Sequence, residues 1–191
     1  MRRNILMFGP PGSGKGTQAA RIAQRRGLVH ISTGDILRDA VAAGTKMGLQ
    51  VKAIIERGDL VTDELMFGLV KERLRQADTL EGFLLDGFPR TVNQAEGLLA
   101  LLSMAGRQLD VVLLLDVDDD ELVRRAVARG RADDDEGTIR HRLNVYREQT
   151  EPVLEALAGR VGIEKIGGVG DLDSITGSIE LVLDAADTSQ E

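Results

Sequence analysis

Residues 9–17 read GPPGSGKGT, directly after the apolar run 4–8 and directly before a segment with helical periodicity. Four of the nine residues are glycines: Gly9, Gly12, Gly14 and Gly16. Glycine allows positive φ angles and a close approach of the backbone to an anion, and the following helix N-terminus adds a partial positive charge. This order of strand, glycine-rich loop and helix predicts a loop that binds a nucleoside triphosphate.

The polar side chains of this loop have distinct expected roles. Lys15 supplies a point cation for the β and γ phosphates, and the hydroxyl of Thr17 or Ser13 can reach phosphate or Mg²⁺. Gly16 occupies the position where the general pattern GxxxxGK[ST] has Ser or Thr, which indicates a particular subgroup of such loops. A glycine-rich turn without a ligand is the alternative, and it would leave Lys15 without an anionic partner.

Composition favours a single soluble domain and excludes several classes of partner. The 191 residues suffice for one substantial core, and no Pro/Ser-rich linker divides them. The net charge of −7 and the lack of a long basic tract argue against nucleic acid. Cysteine is absent, which excludes disulfides and thiolate metal sites, so we expect no zinc.

The hydrophobic pattern also bears on location and assembly. No stretch approaches the length of a membrane span, and the N-terminal residues run into a strand too soon for a signal peptide. We therefore expect a cytoplasmic protein without a membrane partner. The absence of a large exposed apolar segment makes a monomer the expected state.

Short apolar runs alternate with helical patterns along the chain. The runs lie at 5–8, 28–31, 82–85, 111–115 and 163–166. Uniformly apolar strands are buried on both faces, which predicts a doubly wound α/β fold with a five-stranded parallel sheet and a ligand site beyond the carboxyl ends of the strands. Helices are predicted at 17–26, 62–76, 91–105, 119–128, 136–158 and 172–185.

Two segments interrupt this alternation. Residues 35–63 carry no strand signal but contain amphipathic fragments broken by Gly44, Gly48 and Gly58, which predicts a small helical insertion. Residues 130–137, GRADDDEG, predict a minimal polar loop between two helices.

A set of arginines indicates a second phosphate-binding site. Arginine binds phosphate oxygens in pairs through its planar fork and stays charged. The candidates lie beside turns or helix ends, and they are Arg38, Arg90, Arg125, Arg129, Arg131 and Arg142. For the i, i+4 pair Arg125 and Arg129, a solvated face with Glu121 paired to Arg125 is the alternative.

Other polar residues near the predicted strand ends suggest how the chemistry proceeds. Asp86 ends an apolar strand, where a carboxylate can orient Mg²⁺ or its waters, and we favour this role over a turn cap. His30 and His141, the only histidines, are expected to be structural. Transfer to an ionised phosphate needs no strong general base, so alignment and charge stabilisation would carry the reaction.

The chain resembles the adenylate kinase family. The resemblance covers nearly the whole chain, and it implies the reaction Mg·ATP + AMP ⇌ Mg·ADP + ADP, a role in adenine nucleotide homeostasis and a nucleoside-monophosphate kinase fold. It also implies one kinase domain over 1–191, a nucleotide-monophosphate-binding insertion over 32–61 and a short lid over 129–137. The stretches that carry it are GPPGSGKGTQ (9–18), HISTGDILR (30–38), RGDLVTD (57–63), LLDGFPRT (84–91) with Gln94, and GRADDDEGTIRHRLNVYREQTEP (130–152).

The resemblance implies a role for each matching residue. Around ATP it places Gly12, Ser13, Gly14, Lys15, Gly16, Thr17, Arg125, Arg129 and Gly170. Around AMP it places Thr33, Arg38, Asp59, Leu60, Val61, Gly87, Phe88, Pro89, Arg90, Gln94, Arg131 and Arg142. The residues implied in transfer itself are Lys15, Arg90, Arg129, Arg131 and Arg142. Mg²⁺ would arrive with ATP, with Asp86 acting through water and Thr17 as a second candidate contact.

Two other functions are compatible with the phosphate loop. One is a kinase for UMP and CMP, although Thr33 and Asp86 resemble the adenylate pattern. The other is a nucleotide-dependent switch, although the guanine-reading NKxD pattern is absent and a switch has no use for a second arginine-lined pocket.

Overall fold

A computed structural model of the chain describes residues 3–131 and 134–188. Five strands form one sheet in the order β2-β3-β1-β4-β5, and every neighbouring pair is parallel. The predicted five-stranded parallel sheet is confirmed, with each strand within one residue of its predicted bounds. The strands are β1 (Asn4–Phe8), β2 (Val29–Ser32), β3 (Phe83–Asp86), β4 (Val111–Asp116) and β5 (Gly162–Gly167).

Helices cover both faces of the sheet, as a doubly wound fold requires. Ile5 and Met7 of β1 face a buried cluster shared with the first and last helices. Leu6 and Phe8 point to the opposite face and pack with helices from the middle of the chain. The helices are α1 (Lys15–Arg26), α2 (Thr33–Ala42), α3 (Lys46–Arg57), α4 (Asp63–Leu74), α5 (Val92–Met104), α6 (Asp119–Arg129), α7 (Glu136–Val145), α8 (Pro152–Leu157) and α9 (Leu172–Thr188).

The expectation of uniform strand burial is wrong for β5. Glu164 and Lys165 are exposed, and only Ile166 of this strand is buried. The reason is position, because β5 lies at the sheet edge beside β4 and has no strand on its other side. The central strand β1 and its neighbour β3 are almost completely buried, as predicted.

The single helix predicted over 136–158 is also wrong in detail. Helix α7 continues into a π-helical turn, Tyr146–Thr150, and α8 starts only at Pro152. Proline has no N–H and its ring clashes with the carbonyl four residues earlier, so the ladder widens ahead of it. The backbone N–H of Glu151 accordingly donates to the carbonyl of Tyr146, five residues back, at 2.8 Å.

Helices α2 and α3 form the predicted helical segment between β2 and α4, but Gly48 does not break it. Gly48 lies inside α3, where an added Cβ would stand 2.0 Å from the carbonyl oxygen of Ala40 in α2. The glycine therefore allows two helices to pack in close contact. Gly44 and Gly58, by contrast, lie just beyond helix ends with φ angles of 61° and 81°.

Candidate active site

The glycine-rich loop joins β1 to α1 and packs against α6. Gly12 and Gly14 have φ angles of 89° and 88°, which other residues rarely adopt. A Cβ on Gly12 would stand 2.5 Å from the carbonyl oxygen of Leu122, so the loop also needs glycine for close packing. Of the four glycines expected to allow positive φ, Gly16 does not use this freedom, since it lies within the first turn of α1.

Two buried polar atoms beside this loop have no hydrogen-bond partner among the described residues. They are Oγ of Ser13 and Oδ1 of Asp86. A buried polar atom without a partner costs free energy, and a bound ligand or its ordered waters would satisfy both atoms. A Cβ on Gly16 would stand 3.3 Å from Oδ2 of Asp86, so glycine at this position keeps the approach to that carboxylate open.

Lys15 is the first residue of α1, and its Nζ donates to the carbonyl of Pro10 at 3.3 Å. Burial lowers the pKa of Lys15 to about 8; the charge of Asp86 opposes the shift, while Arg90, Arg129 and other cations reinforce it. A bound polyphosphate would reverse this shift, because an adjacent anion favours the charged ammonium. The electrostatics around Lys15 thus favour an anionic ligand.

A single cavity beyond the carboxyl ends of the strands gathers most of the predicted site residues. Its lining includes six cations and one carboxylate, Asp59, so it suits a polyanion. The predicted residues that line it are Lys15, Thr33, Arg38, Asp59, Leu60, Val61, Gly87, Phe88, Pro89, Arg90, Gln94, Arg129, Arg131 and Arg142. Val145, Tyr146 and Thr150 also line the cavity but were not predicted as site residues.

The remaining predicted residues lie outside the lining of this cavity. They are Gly12, Ser13, Gly14, Gly16, Thr17, Asp86, Arg125 and Gly170. Arg125 donates to the carbonyl of Gly168 at 2.8 Å and to Glu121 at 2.6 Å. The pairing with Glu121, given above as an alternative, is therefore present, and the same guanidinium contacts the loop after β5. Hydrogen bonds from Arg124 and then Arg125 lower the pKa of Glu121 to about 2.

Asp134 organises the arginines at one side of the cavity and was missed by the sequence analysis. Its side chain has no exposed surface, and it pairs with Arg129 through Nε to Oδ2 at 2.8 Å and Nη2 to Oδ1 at 2.7 Å. It also accepts from the backbone N–H of Arg131 at 3.1 Å and lies 3.5 Å from Nη1 of Arg142. Burial alone would raise the pKa of Asp134, but the hydrogen bonds from Arg129 and Arg131 lower it.

Arg90 and Gln94 form a second fixed group. The backbone N–H of Arg90 donates to Oε1 of Gln94 at 2.7 Å, and Nε of Arg90 donates to the carbonyl of Gly87 at 2.8 Å. Thr33 approaches the same region, with its hydroxyl donating to the carbonyl of Asp86 at 3.3 Å. The carboxyl ends of β2 and β3 thus place polar groups at one wall of the cavity.

A third set of contacts joins α7 to the end of α3. Nε2 of His141 lies 2.8 Å from Oδ1 of Asp59, and Nη2 of Arg142 donates to the carbonyl of Ile55 at 3.4 Å. Hydrogen bonds from His141 and Arg57 lower the pKa of Asp59.

In the part of the chain that the structure describes, no cluster of three or more His, Cys, Asp or Glu side chains could hold a metal ion. Among the described residues, no helix has the length and apolar character needed to cross a membrane.

Comparisons with known proteins identify the family of the chain. A sequence model of the family described as adenylate kinase matches residues 7–160. The chain is 48% identical over 183 residues to an adenylate kinase of Synechococcus sp. (strain RCC307), covering 96% of this chain and all of that protein. It is 47% identical to an adenylate kinase of Stenotrophomonas maltophilia (strain R551-3), covering 92% of this chain and 96% of the other. A further adenylate kinase, from Xanthomonas oryzae pv. oryzae (strain MAFF 311018), is 47% identical over 94% of this chain and 98% of its own length. On this evidence the chain belongs to the adenylate kinase family.

Proposed function

We propose that this chain carries out the reaction of its family, the reversible transfer of a phosphoryl group from Mg·ATP to AMP to give two ADP, in the cavity described above and at the glycine-rich loop beside it. The observation that carries the proposal is the set of six cations that line this cavity. Two nucleotides placed end to end bring their phosphate chains together, and such a cation-rich cavity can hold both. Because this reaction interconverts ATP, AMP and ADP, it gives the chain a role in adenine nucleotide homeostasis.

The glycine-rich loop is our candidate for holding the ATP phosphates. Its backbone from Gly12 to Thr17, the ammonium of Lys15 and the free hydroxyl of Ser13 together offer donors to phosphate oxygens. Arg125 lies between this loop and the carbonyl of Gly168, which supports a place for it and for Gly170 beside the ATP base. Arg129 extends from the same helix α6 into the cavity and is our candidate for the phosphates.

The opposite wall is our candidate for AMP. Arg38 and Arg90 are suited to its phosphate, and Gln94 to its base, because an amide offers both a donor and an acceptor. The other residues proposed to contact AMP are Thr33, Asp59, Leu60, Val61, Gly87, Phe88 and Pro89. Arg131 and Arg142, which also line the cavity, would bind between the two phosphate chains.

In this arrangement the protein's residues act by alignment and charge. The attacking oxygen belongs to the AMP phosphate and is already ionised, so no proton need be removed from it. Lys15, Arg90, Arg129, Arg131 and Arg142 would hold donor and acceptor in line and stabilise the charge of the transferring group. Closure of residues 32–61 over AMP would exclude water and suppress ATP hydrolysis.

The residues present fit a Mg²⁺ ion that accompanies ATP. Oδ1 of Asp86 is buried without a hydrogen-bond partner and lies next to the loop, so it can accept from water bound to such an ion. Thr17, exposed in the first turn of α1, is a second candidate contact. When bound, Mg²⁺ would neutralise part of the charge on the phosphates. The absence of cysteine excludes a thiolate zinc site.

The proposal extends to organisation and location. We infer one kinase domain over 1–191, an AMP-side insertion over 32–61 and a short lid over 129–137, of which residues 132 and 133 lie outside the described residues. We further propose a monomer in the cytoplasm that binds small nucleotides and has no nucleic-acid or membrane partner. The net charge of −7 supports the exclusion of nucleic acid.

The decisive experiment mixes the purified chain with Mg²⁺ and ADP alone. A kinase of this type produces ATP and AMP in equal amounts, measured by ³¹P NMR or anion-exchange chromatography. A nucleotide switch leaves ADP unchanged, and that outcome would refute the proposal.

Steady-state rates with AMP, CMP, UMP and GMP as acceptors then test the base preference, which we expect to be for AMP. Size-exclusion chromatography with light scattering tests the monomer.

A further inference from the structure

Asp63 lies outside the cavity lining but contacts a residue within it. It is the first residue of α4, half-buried, and its Oδ1 accepts from Nε2 of Gln94 at 2.7 Å. The hydroxyl of Thr91 lies 3.1 Å from the same oxygen and 3.2 Å from Oδ2. Asp63 thus joins the start of α4 to the start of α5 at the back of the AMP-side wall.

Two fixed partners determine which way the Gln94 amide faces. Its Oε1 accepts from the backbone N–H of Arg90, a group that can only donate. Its Nε2 donates to the carboxylate of Asp63, a group that when ionised can only accept. Rotating the amide by 180° would set two donors against each other and two acceptors against each other. Gln94 is only 2% exposed, so water cannot relieve these clashes freely.

The role of Thr91 strengthens this fixed orientation. Its hydroxyl oxygen accepts from the backbone N–H of Gln94 at 3.2 Å, the N-cap hydrogen bond of α5. With that acceptor position used, its single proton is directed to Asp63. Asp63 therefore accepts from two donors, the hydroxyl of Thr91 and the amide nitrogen of Gln94.

After these contacts the Gln94 amide retains one N–H and one oxygen lone pair for a ligand at the cavity wall. At carbon 6 of a purine, adenine carries an amino donor whereas a 6-oxo purine carries an acceptor. Oε1 of Gln94, which accepts from the backbone N–H of Arg90, can also accept from the 6-amino group of adenine. The same oxygen repels the oxygen of a 6-oxo purine. Only a rotated amide would suit the 6-oxo base.

We propose that Asp63 is a specificity-determining positioning residue, which holds the amide of Gln94 in the orientation that accepts a 6-amino purine monophosphate and rejects a 6-oxo purine monophosphate. This inference rests on the proposed function, because it takes Gln94 to face the acceptor base. Asp63 acts through Gln94 and does not itself contact substrate. Discrimination then arises from the cost of turning a buried amide against two fixed partners.

The test compares AMP with inosine monophosphate, which differs from AMP only at the N1 and C6 edge of the base. In Asp63→Asn the new amide can donate to a rotated Gln94, so one of the two clashes disappears while the clash at Arg90 remains. We expect the ratio of kcat/KM for AMP to that for inosine monophosphate to fall at least about tenfold, the effect of one charge-assisted hydrogen bond. The KM for ATP should stay within about twofold.

Glu64→Gln is the matched control, because it removes an exposed carboxylate from the same turn of α4 and should leave the ratio unchanged. In a Gln94→Leu background, Asp63→Asn should no longer alter the ratio, an outcome that a merely structural role would not produce. Thermal unfolding of each variant verifies folding, and Asp63→Ser replaces Asp63→Asn if the latter melts early. An unchanged ratio in a folded, active variant overturns the role of Asp63 and leaves the proposed function intact. A wild-type chain that transfers no phosphoryl group to AMP overturns both.

Discussion

Asp134 holds the guanidinium of Arg129 in a two-point ion pair, with both contacts between 2.7 and 2.8 Å and with no part of the carboxylate exposed. The same carboxylate accepts from the backbone of Arg131. Two of the arginines proposed to bind phosphate are therefore positioned by a residue that cannot itself bind an anion. Holding a flexible side chain in place before substrate arrives reduces the entropy lost in the transition state.

We expect Asp134→Asn to lower kcat by about 10- to 100-fold, because the neutral amide cannot hold the guanidinium of Arg129 at both nitrogens. The free energy of unfolding at pH 7 should fall by about 1–2 kcal/mol. Stopped-flow or coupled assays measure kcat, and urea unfolding measures the free energy of unfolding. Glu155→Gln, an exposed carboxylate on α8, is the control and should change neither.

The lowered pKa of Asp134 gives this prediction a pH dependence. A carboxylate whose pKa is lower in the folded state stabilises the fold above its unfolded pKa, and the contribution is lost as pH falls through the folded value. The unfolded reference is 3.8. The stability difference between wild type and Asp134→Asn should thus persist from pH 7 to about pH 4 and shrink below that. A difference that grows on acidification would contradict the paired carboxylate.

Lys15→Met should separate activity from stability. Loss of the ammonium removes a cation that we propose to contact the transferring phosphate, so kcat should fall at least about 100-fold. The fold should not suffer, because burial and the neighbouring arginines already disfavour the charged form of Lys15 and lower its pKa to about 8. Circular dichroism melting at pH 7 should give a midpoint equal to or above that of wild type, and a clearly lower midpoint would be inconsistent with this account.

The pH effect for Lys15 has the same sign as that for Asp134, because both pKa values are lower in the folded state, but the charged form of Lys15 destabilises the fold whereas that of Asp134 stabilises it. An ammonium whose pKa is lower in the folded state destabilises the fold at pH values below its folded pKa, and the penalty fades as pH rises toward the unfolded value of 10.5. Without nucleotide, wild type should gain stability relative to Lys15→Met between pH 8 and about pH 10. Urea unfolding at a series of pH values measures this difference.

Local chemistry explains why the loop and the sheet could be predicted from the sequence. The order of apolar run, GPPGSGKGT and helix admits few folds, and the strands at the centre of the sheet are apolar on both faces. The exposure of Glu164 and Lys165 in β5 was not predicted, because a sequence does not state which strand lies at the edge.

The positioning residues were missed for a different reason. Asp63 and Asp134 are carboxylates in helix-start and loop segments, where acidic residues are common as caps and on solvated surfaces. Their roles depend on contacts with Gln94 and Arg129, and the partner of Asp63 is 31 residues away along the chain. The acidic run in GRADDDEG beside several arginines was the one available signal for Asp134.

Gly48→Ala should destabilise the chain, because the added Cβ would meet the carbonyl oxygen of Ala40 at 2.0 Å and force α2 and α3 apart. A cost of about 2 kcal/mol or more is expected from this overpacking. Gly68→Ala in the exposed part of α4 is the matched control. Its Cβ meets no atom within 4 Å, so the change should stabilise the helix by up to about 1 kcal/mol. Thermal melts of both variants measure the opposite signs, and equal shifts would refute the close contact between α2 and α3.

Arg90→Ala should weaken AMP binding far more than ATP binding. The guanidinium is anchored by its Nε to the carbonyl of Gly87, beside Thr33 and Gln94, on the wall we assign to AMP. Loss of charge-assisted hydrogen bonds to one phosphate should raise the Kd for AMP by about 10- to 100-fold and leave that for ATP within about threefold. Isothermal titration calorimetry with each nucleotide measures both constants. Arg90→Lys, which keeps the charge and loses the planar fork, should fall between wild type and Arg90→Ala for AMP. Equal losses for the two nucleotides would show that Arg90 does not belong to the AMP side, because a residue confined to one wall cannot affect both ligands alike.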